Sequence, residues 1–192
     1  AGYSYDTRDF NEYPHYGTFT RVAMTTFGLP GGSYHVVRYS GDGRKFFSLL
    51  PNVILGGRVF TDLAAGGPTP GFNRVYFGYG ERIRGHFNEV TEGENILGAS
   101  AELRYLVLPP VFFKIEFLPP EFGVWRFGIA VTAFGDAGTV WFRGDPVAIN
   151  QFAKGYGFGL NFLMPYSAIL RLEYAWNESR RGEFIVELAG AF

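Results

Sequence analysis

Few residues in this 192-residue chain have the types and spacing that catalysis requires. His15, His35 and His86 are scattered and lack the short spacing of a metal-binding pair. There is no Gly-x-Ser-x-Gly turn to raise a nucleophilic serine, and no cysteine to supply a thiolate. A Ser/His/Asp site built from distant strands is the remaining hydrolytic route. The polar residues that stand out are ionic. Glu102, Asp136 and Glu173 lie in apolar stretches that also carry Arg104, Arg126 and Arg171. Two carboxylates could act as general acid and base. Interleaved arginines favour a structural ion cluster instead, because a guanidinium between two acids holds both ionised through charge-assisted bonds. The expectation is a protein that is not an enzyme and holds no cofactor or metal.

The elements that must position these charges follow a period of two. Ala99, Ala101, Leu103, Tyr105 and Val107 share one face, and Gly98, Ser100, Glu102 and Arg104 the other. Trp125 through Ala133 alternates in the same way with Arg126 through Asp136. Tyr156, Phe158, Leu160 and Phe162 alternate with Gly155, Gly157, Gly159 and Asn161. Leu170, Leu172 and Tyr174 oppose Arg171 and Glu173; Phe184, Val186 and Leu188 oppose Glu183 and Glu187. Rougher strands are expected near Thr18–Phe27, Ser33–Phe47 and Val53–Leu63, for about eight in total. The apolar faces are continuous and rich in rings, while the polar faces hold small residues and paired charges. That pattern points to a barrel with its apolar side toward lipid and a polar lumen, rather than to a soluble lipocalin-like barrel.

Composition supports this reading. Hydrophobic residues make up 47% and aromatics 19%, more rings than a soluble domain of this size hides easily. No helix-forming stretch of about 20 apolar residues is present; the nearest, Gly155 to Leu170, is interrupted by Asn161 and Pro165. A net charge of −1 leaves no basic footprint for nucleic acid. Of the 17 basic residues only Lys45, Lys114 and Lys154 are lysines, and arginine suits crowded bidentate pairing. One domain is expected over residues 1–192, with an N-terminal segment at 1–16 and a long loop at 66–96. Proline pairs 109–110 and 119–120 bracket an apolar segment, read either as a lip at the membrane surface or as a strand extension. The opening Ala-Gly-Tyr-Ser reads as a mature terminus after leader cleavage or as a boundary within a longer chain.

Several motifs, in order, resemble the BamA/TamA-like superfamily of outer-membrane assembly and translocation barrels. Tyr5-Asp6-Thr7-Arg8-Asp9 with Pro14 and Gly17 is similar to that family's opening run. Ile83-Arg84-Gly85-His86 resembles its loop signature, with His86 where an aromatic is usual. Ser100-Ala101-Glu102-Leu103-Arg104, Phe134-Gly135-Asp136-Ala137-Gly138, the glycine-alternating Gly155–Pro165, Glu173-Tyr174-Ala175 and the terminal Phe192 follow. The resemblance spans nearly the whole chain but only the C-terminal half of a typical member, without the periplasmic POTRA domains.

The resemblance implies that the loop arginine enters the barrel and pairs with acids on its wall. Carried over, this gives a loop-lock cluster of Arg84, Gly85, Glu102 and Asp136, with Arg104, Arg126, Arg171 and Glu173 as lumen charges and Phe192 as a C-terminal signal. It implies a bacterial outer-membrane location, lipid contacts, and a link to insertion or translocation of outer-membrane proteins with other outer-membrane or periplasmic assembly proteins as partners. The alternatives are a closed structural barrel or scaffold subunit, and a half-barrel that dimerises into a larger pore.

Overall fold

The computed structural model describes residues 1–29, 31–32, 34–115, 119, 123–148, 151–165 and 168–189. Eleven strands are formed: β1 (Gly2–Asp6), β2 (Gly17–Gly28), β3 (His35–Leu50), β4 (Val53–Gly66), β5 (Val75–Phe77), β6 (Thr91–Gly93), β7 (Asn95–Lys114), β8 (Val124–Trp141), β9 (Ala153–Leu163), β10 (Ile169–Asn177) and β11 (Gly182–Ala189). Nine of them make one sheet in the order β1-β2-β3-β4-β7-β8-β9-β10-β11. Every neighbouring pair is antiparallel. β4 pairs directly with β7, so residues 67–94 leave the sheet as one long loop that carries the small β5–β6 pair.

The alternation in the sequence becomes a difference in exposure between the two faces. Leu103 is 45% exposed and Tyr105 52%, whereas Glu102 and Arg104 between and beside them are 1% and 0%. Tyr156, Phe158 and Leu160 are likewise exposed, while Asn161, Arg171 and Glu173 are buried. A water-soluble sheet protein has the opposite arrangement. No helix among the described residues is long and apolar enough to cross a membrane. β9 has 11 residues and β10 has 9, lengths that match a tilted spanning strand.

The sheet curls. Tyr13, in the segment between β1 and β2, packs with Ile54 of β4, Leu106 of β7, Ala130 of β8, Leu163 of β9 and Ile169 of β10. Its hydroxyl accepts a hydrogen bond from Asn161 Nδ2 at 3.2 Å. A residue beside the first strand thus touches the far side of the sheet, which requires a concave inner face. At the opposite end Phe77 and Ile83 of the long loop pack on Ile96. The interior is therefore filled by chain segments as well as by side chains.

Two expectations change, and one open alternative is decided. The sheet has nine strands, because the N-terminal segment contributes β1, a strand too short to register as a periodic run. Among the described residues the sheet is not closed, since β1 and β11 each have one neighbour. The first proline pair lies inside β7, at register shifts between Leu106, Leu108 and Val111. Prolines are tolerated there because β4 pairing ends at Tyr105, so beyond it β7 has only β8 beside it, and the bulge absorbs the missing N–H groups. Up to Lys114 the segment is thus a strand extension; its second proline pair falls partly outside the described residues.

Candidate functional site

Arg84 leaves the long loop and enters the concave face. Its Nε donates to Asp136 Oδ2 at 2.7 Å and its Nη2 to Asp136 Oδ1 at 2.8 Å, a bidentate pair. Nη1 donates to Glu102 Oε2 and to Glu173 Oε1, each at 3.0 Å. Nη2 also reaches Ser100 Oγ at 3.4 Å. A guanidinium has five N–H donors in a fixed fork, and here each of the five has an acceptor. The ring of Phe134 lies 3.6 Å below the guanidinium carbon. The acceptors come from β7, β8 and β10, strands whose inner-facing positions alternation already fixed.

The loop backbone is seated as tightly as the side chain. Gly85 N and Phe87 N both donate to Glu183 Oε1 of β11 at 2.8 Å. Gly85 has φ +100°, and a Cβ there would fall 2.8 Å from the Trp176 carbonyl oxygen, so the position suits only glycine. Gly155 of β9 is flat against the loop: a Cβ there would overlap the Arg84 carbonyl. The glycines that alternate along β9 thus make room for a second layer of backbone.

Glu102 extends the network. It accepts from Arg104 Nε at 2.6 Å, and Arg104 in turn donates to the Pro14 carbonyl at 3.3 Å and lies over the Tyr13 ring. One buried carboxylate therefore joins the long loop to the N-terminal segment. Arg171 is 3.7 Å from Glu187 on β11. The structure does not bring Arg126 into this group. It sits on β8 ten residues from Asp136, about 33 Å along an extended strand, and its Nε and Nη2 have no hydrogen-bond partner among the described residues. Phe192 lies outside the described residues.

Other ties to the loop were not singled out in the sequence. Arg58 of β4 donates to both carboxylate oxygens of Glu81 at 2.8 Å and to Asp42 of β3. Arg38 of β3 binds Asp62 and the loop carbonyls of Asn73 and Glu94. Arg143 binds Glu94 and the carbonyls of Gly66 and Gly67. Its hydrogen bonds hold the Glu94 carboxyl well down, at about 2. The signal for these residues was the excess of arginine over lysine; nothing local assigned partners. At the loop's outer end His86 lies between two acids, with Nδ1 2.8 Å from Glu89 and Nε2 2.8 Å from Glu178. Although burial opposes it, those two carboxylates raise the imidazole above its usual range. His86 thus makes polar ties on both sides where the resembling family has an aromatic.

A curled antiparallel sheet with an apolar outside, a charged inside and a loop fastened to its concave face is the wall of a membrane-type β-barrel. The model of the Omp85 superfamily domain matches residues 1–185. The chain belongs to that superfamily, whose members are outer-membrane proteins. No curated protein matches it.

Proposed function

We propose that this chain forms part of the wall of an outer-membrane barrel that takes part in inserting, assembling or translocating outer-membrane proteins, in the manner of BamA-like members of its superfamily. The observation that carries this reading is the Arg84 lock, which holds the long loop inside the barrel through three carboxylates on three strands. A loop fixed at that depth sets the interior shape that a passing or inserting chain meets. The reading assigns no reaction and no cofactor. Its partners are outer-membrane lipids and other assembly proteins.

The test is folding of a urea-denatured outer-membrane barrel in vesicles containing this protein. Faster folding with the protein than in empty vesicles, and loss of that acceleration in Arg84→Ala, would support the reading. Equal rates with and without the protein would exclude it. A second reading, a half-barrel completed by other strands, is favoured by the two free edges of the sheet at β1 and β11. The closed eight-strand scaffold is disfavoured, because such a ring is just wide enough for side chains and this interior also contains loop backbone.

A further inference from the structure

The outward face of the sheet carries an open groove of about 740 Å³. Its floor runs across neighbouring strands. Gly57 of β4 lies opposite Ala101 of β7, and Ala101 opposite Gly135 of β8; Gly43 of β3 adjoins them. Phe47, Leu55 and Val59 stand beside the floor as walls.

Nothing inside the chain accounts for these glycines. On the inward face a Cβ at Gly98 or Gly138 would run into the rings of Phe60 and Phe77, so the fold itself demands glycine there. A Cβ at Gly43, Gly57 or Gly135 would meet no atom nearer than 3.9 Å. Glycine within a strand weakens it, and marks places where a ligand or another backbone comes close. Three such positions on three strands open onto one groove, so the space serves something outside the chain.

Charge says what that is. Two of the three lysines of the chain border the groove, Lys45 at its β3 side and Lys154 at its β9 side. Among the described residues neither is in an ion pair; the carboxylates are taken by arginines and histidines. Glu178, the acid next to Lys154, accepts from its backbone N–H at 3.3 Å and is turned to His86. Lys45 donates to Thr18 Oγ1 at 2.8 Å, whereas the Lys154 side chain has no hydrogen bond. Tyr156, opposite Gly135, closes the β9 end and stacks on Trp176 at 5.9 Å. Tyrosine and tryptophan gather at the membrane–water interface. Lys154 is on the same face as Tyr156, one step nearer the start of β9, and so sits at headgroup level.

We propose that the groove binds one anionic phospholipid, with its phosphate at Lys154 and one acyl tail laid along Ala101, Gly135 and Gly57. From β9 to β3 there are four strand spacings, about 19 Å in all. One leaflet contributes about 15 Å of a hydrocarbon core of about 30 Å, so an extended tail fits. The missing side chains let the tail lie against backbone, where it gains more contacts than on a bulky wall. The inference rests on the membrane-wall reading above and names the lipid class that this patch selects.

The test is retention of phosphatidylglycerol against phosphatidylcholine of the same tails, read by native mass spectrometry of the protein in nonionic detergent. Wild type should hold one phosphatidylglycerol with a preference of about tenfold, as one charge-assisted contact gives. Lys154→Gln should erase the preference, and Lys45→Gln should keep it. Gly135→Leu fills the floor and should weaken both lipids, while Gly41→Leu, outward but off the floor, should match wild type; tryptophan fluorescence checks that each variant folds. In vesicles, phosphatidylglycerol with a photoreactive diazirine in its tail should label wild type on the floor strands around Ala101. Equal retention of both lipids by wild type, or loss of preference in Lys45→Gln alone, would overturn the inference. So would label only outside the groove, the result expected if a protein segment covers the floor. Failure to insert into vesicles at all would overturn the membrane reading as well, which separates the two.

Discussion

Replacing Arg84 with alanine isolates the lock, and its effect can be sized from the contacts. The substitution removes a bidentate pair with Asp136, one bond each to Glu102 and Glu173, and the contact with Ser100. Glu102 retains Arg104 at 2.6 Å, so its charge stays compensated. Asp136, with a side chain 7% exposed, loses both halves of its fork. Breaking one partner out of a buried pair costs about 3–5 kcal/mol, mostly from the charge left behind. Taking about 4 kcal/mol, the folded fraction falls by nearly three decades, at about 1.4 kcal/mol per decade. With a urea slope of about 2 kcal/mol per molar, the midpoint moves down by about 2 M.

The assay is urea unfolding in detergent micelles, followed by tryptophan fluorescence, for wild type, Arg84→Ala, Asp136→Asn and the double variant. Neutralising Asp136 in the Arg84→Ala background removes the abandoned charge. The double variant should therefore be less destabilised than the sum of the singles by about 1–3 kcal/mol. Arg84→Lys keeps the charge but loses the planar fork, and should fall between the two ends. A loss below about 0.5 kcal/mol for Arg84→Ala, or strict additivity with Asp136→Asn, would refute direct coupling.

The outer tie should depend on pH. A His86 value raised above the ordinary 6.5 means that its contribution is complete below about 6.5 and disappears as pH rises through the folded-state value; proteolysis of the loop should then accelerate as pH rises above about 6.5, and the same profile in His86→Gln would reject the assignment. Glu94 has the opposite sign, so its contribution is present above the carboxylate range and vanishes as pH falls through about 2; acid unfolding curves of Glu94→Gln should be flatter than wild type below about pH 4, and superimposable curves would count against the Arg143 tie. Gly155→Ala should expel the loop, because its methyl would overlap the Arg84 carbonyl, whereas Gly135→Ala on the outward face meets nothing closer than 4.0 Å and should fold normally; equal protection of the loop in both variants, read by hydrogen exchange, would show that the loop is not seated where described.

The large sheet was legible in the sequence because a period of two is a local property. Each of the runs 98–107, 125–138, 155–162 and 170–174 declares its two faces without knowledge of its neighbours. β1 was not legible, since five residues, Gly-Tyr-Ser-Tyr-Asp, are too few to separate from a polar loop. The segment through Pro109 and Pro110 stayed between two readings for a non-local reason: whether a proline is tolerated depends on where the adjoining strand stops, and β4 stops at Val53. The site divides in the same way. Parity placed Glu102, Asp136 and Glu173 on one face, and the resemblance supplied Arg84. Parity does not report position along a strand, so it grouped Arg126 with charges far from it. It also could not show that Glu183 would accept two loop N–H groups across 98 residues of sequence separation.

The long loop and the wall define each other. The acceptors of Arg84 and of the following backbone come from β7, β8, β10 and β11, and the separations reach 89 residues for Glu173 and 98 for Glu183. No pair of adjacent strands supplies them all, so the lock exists only where the five strands from β7 to β11 are already in register. Such contacts carry a large loop-closure cost and little local reward. What the lock contributes is therefore less net stability than specificity: a slip of one residue in β7, β8 or β10 turns its acid outward to lipid and leaves a buried arginine unpaired. Backbone at Arg84 and Gly85 occupies space that an eight-strand ring gives to side chains. Among the described residues nine alternating strands leave the first and the ninth running in the same direction, so those two could pair only in parallel.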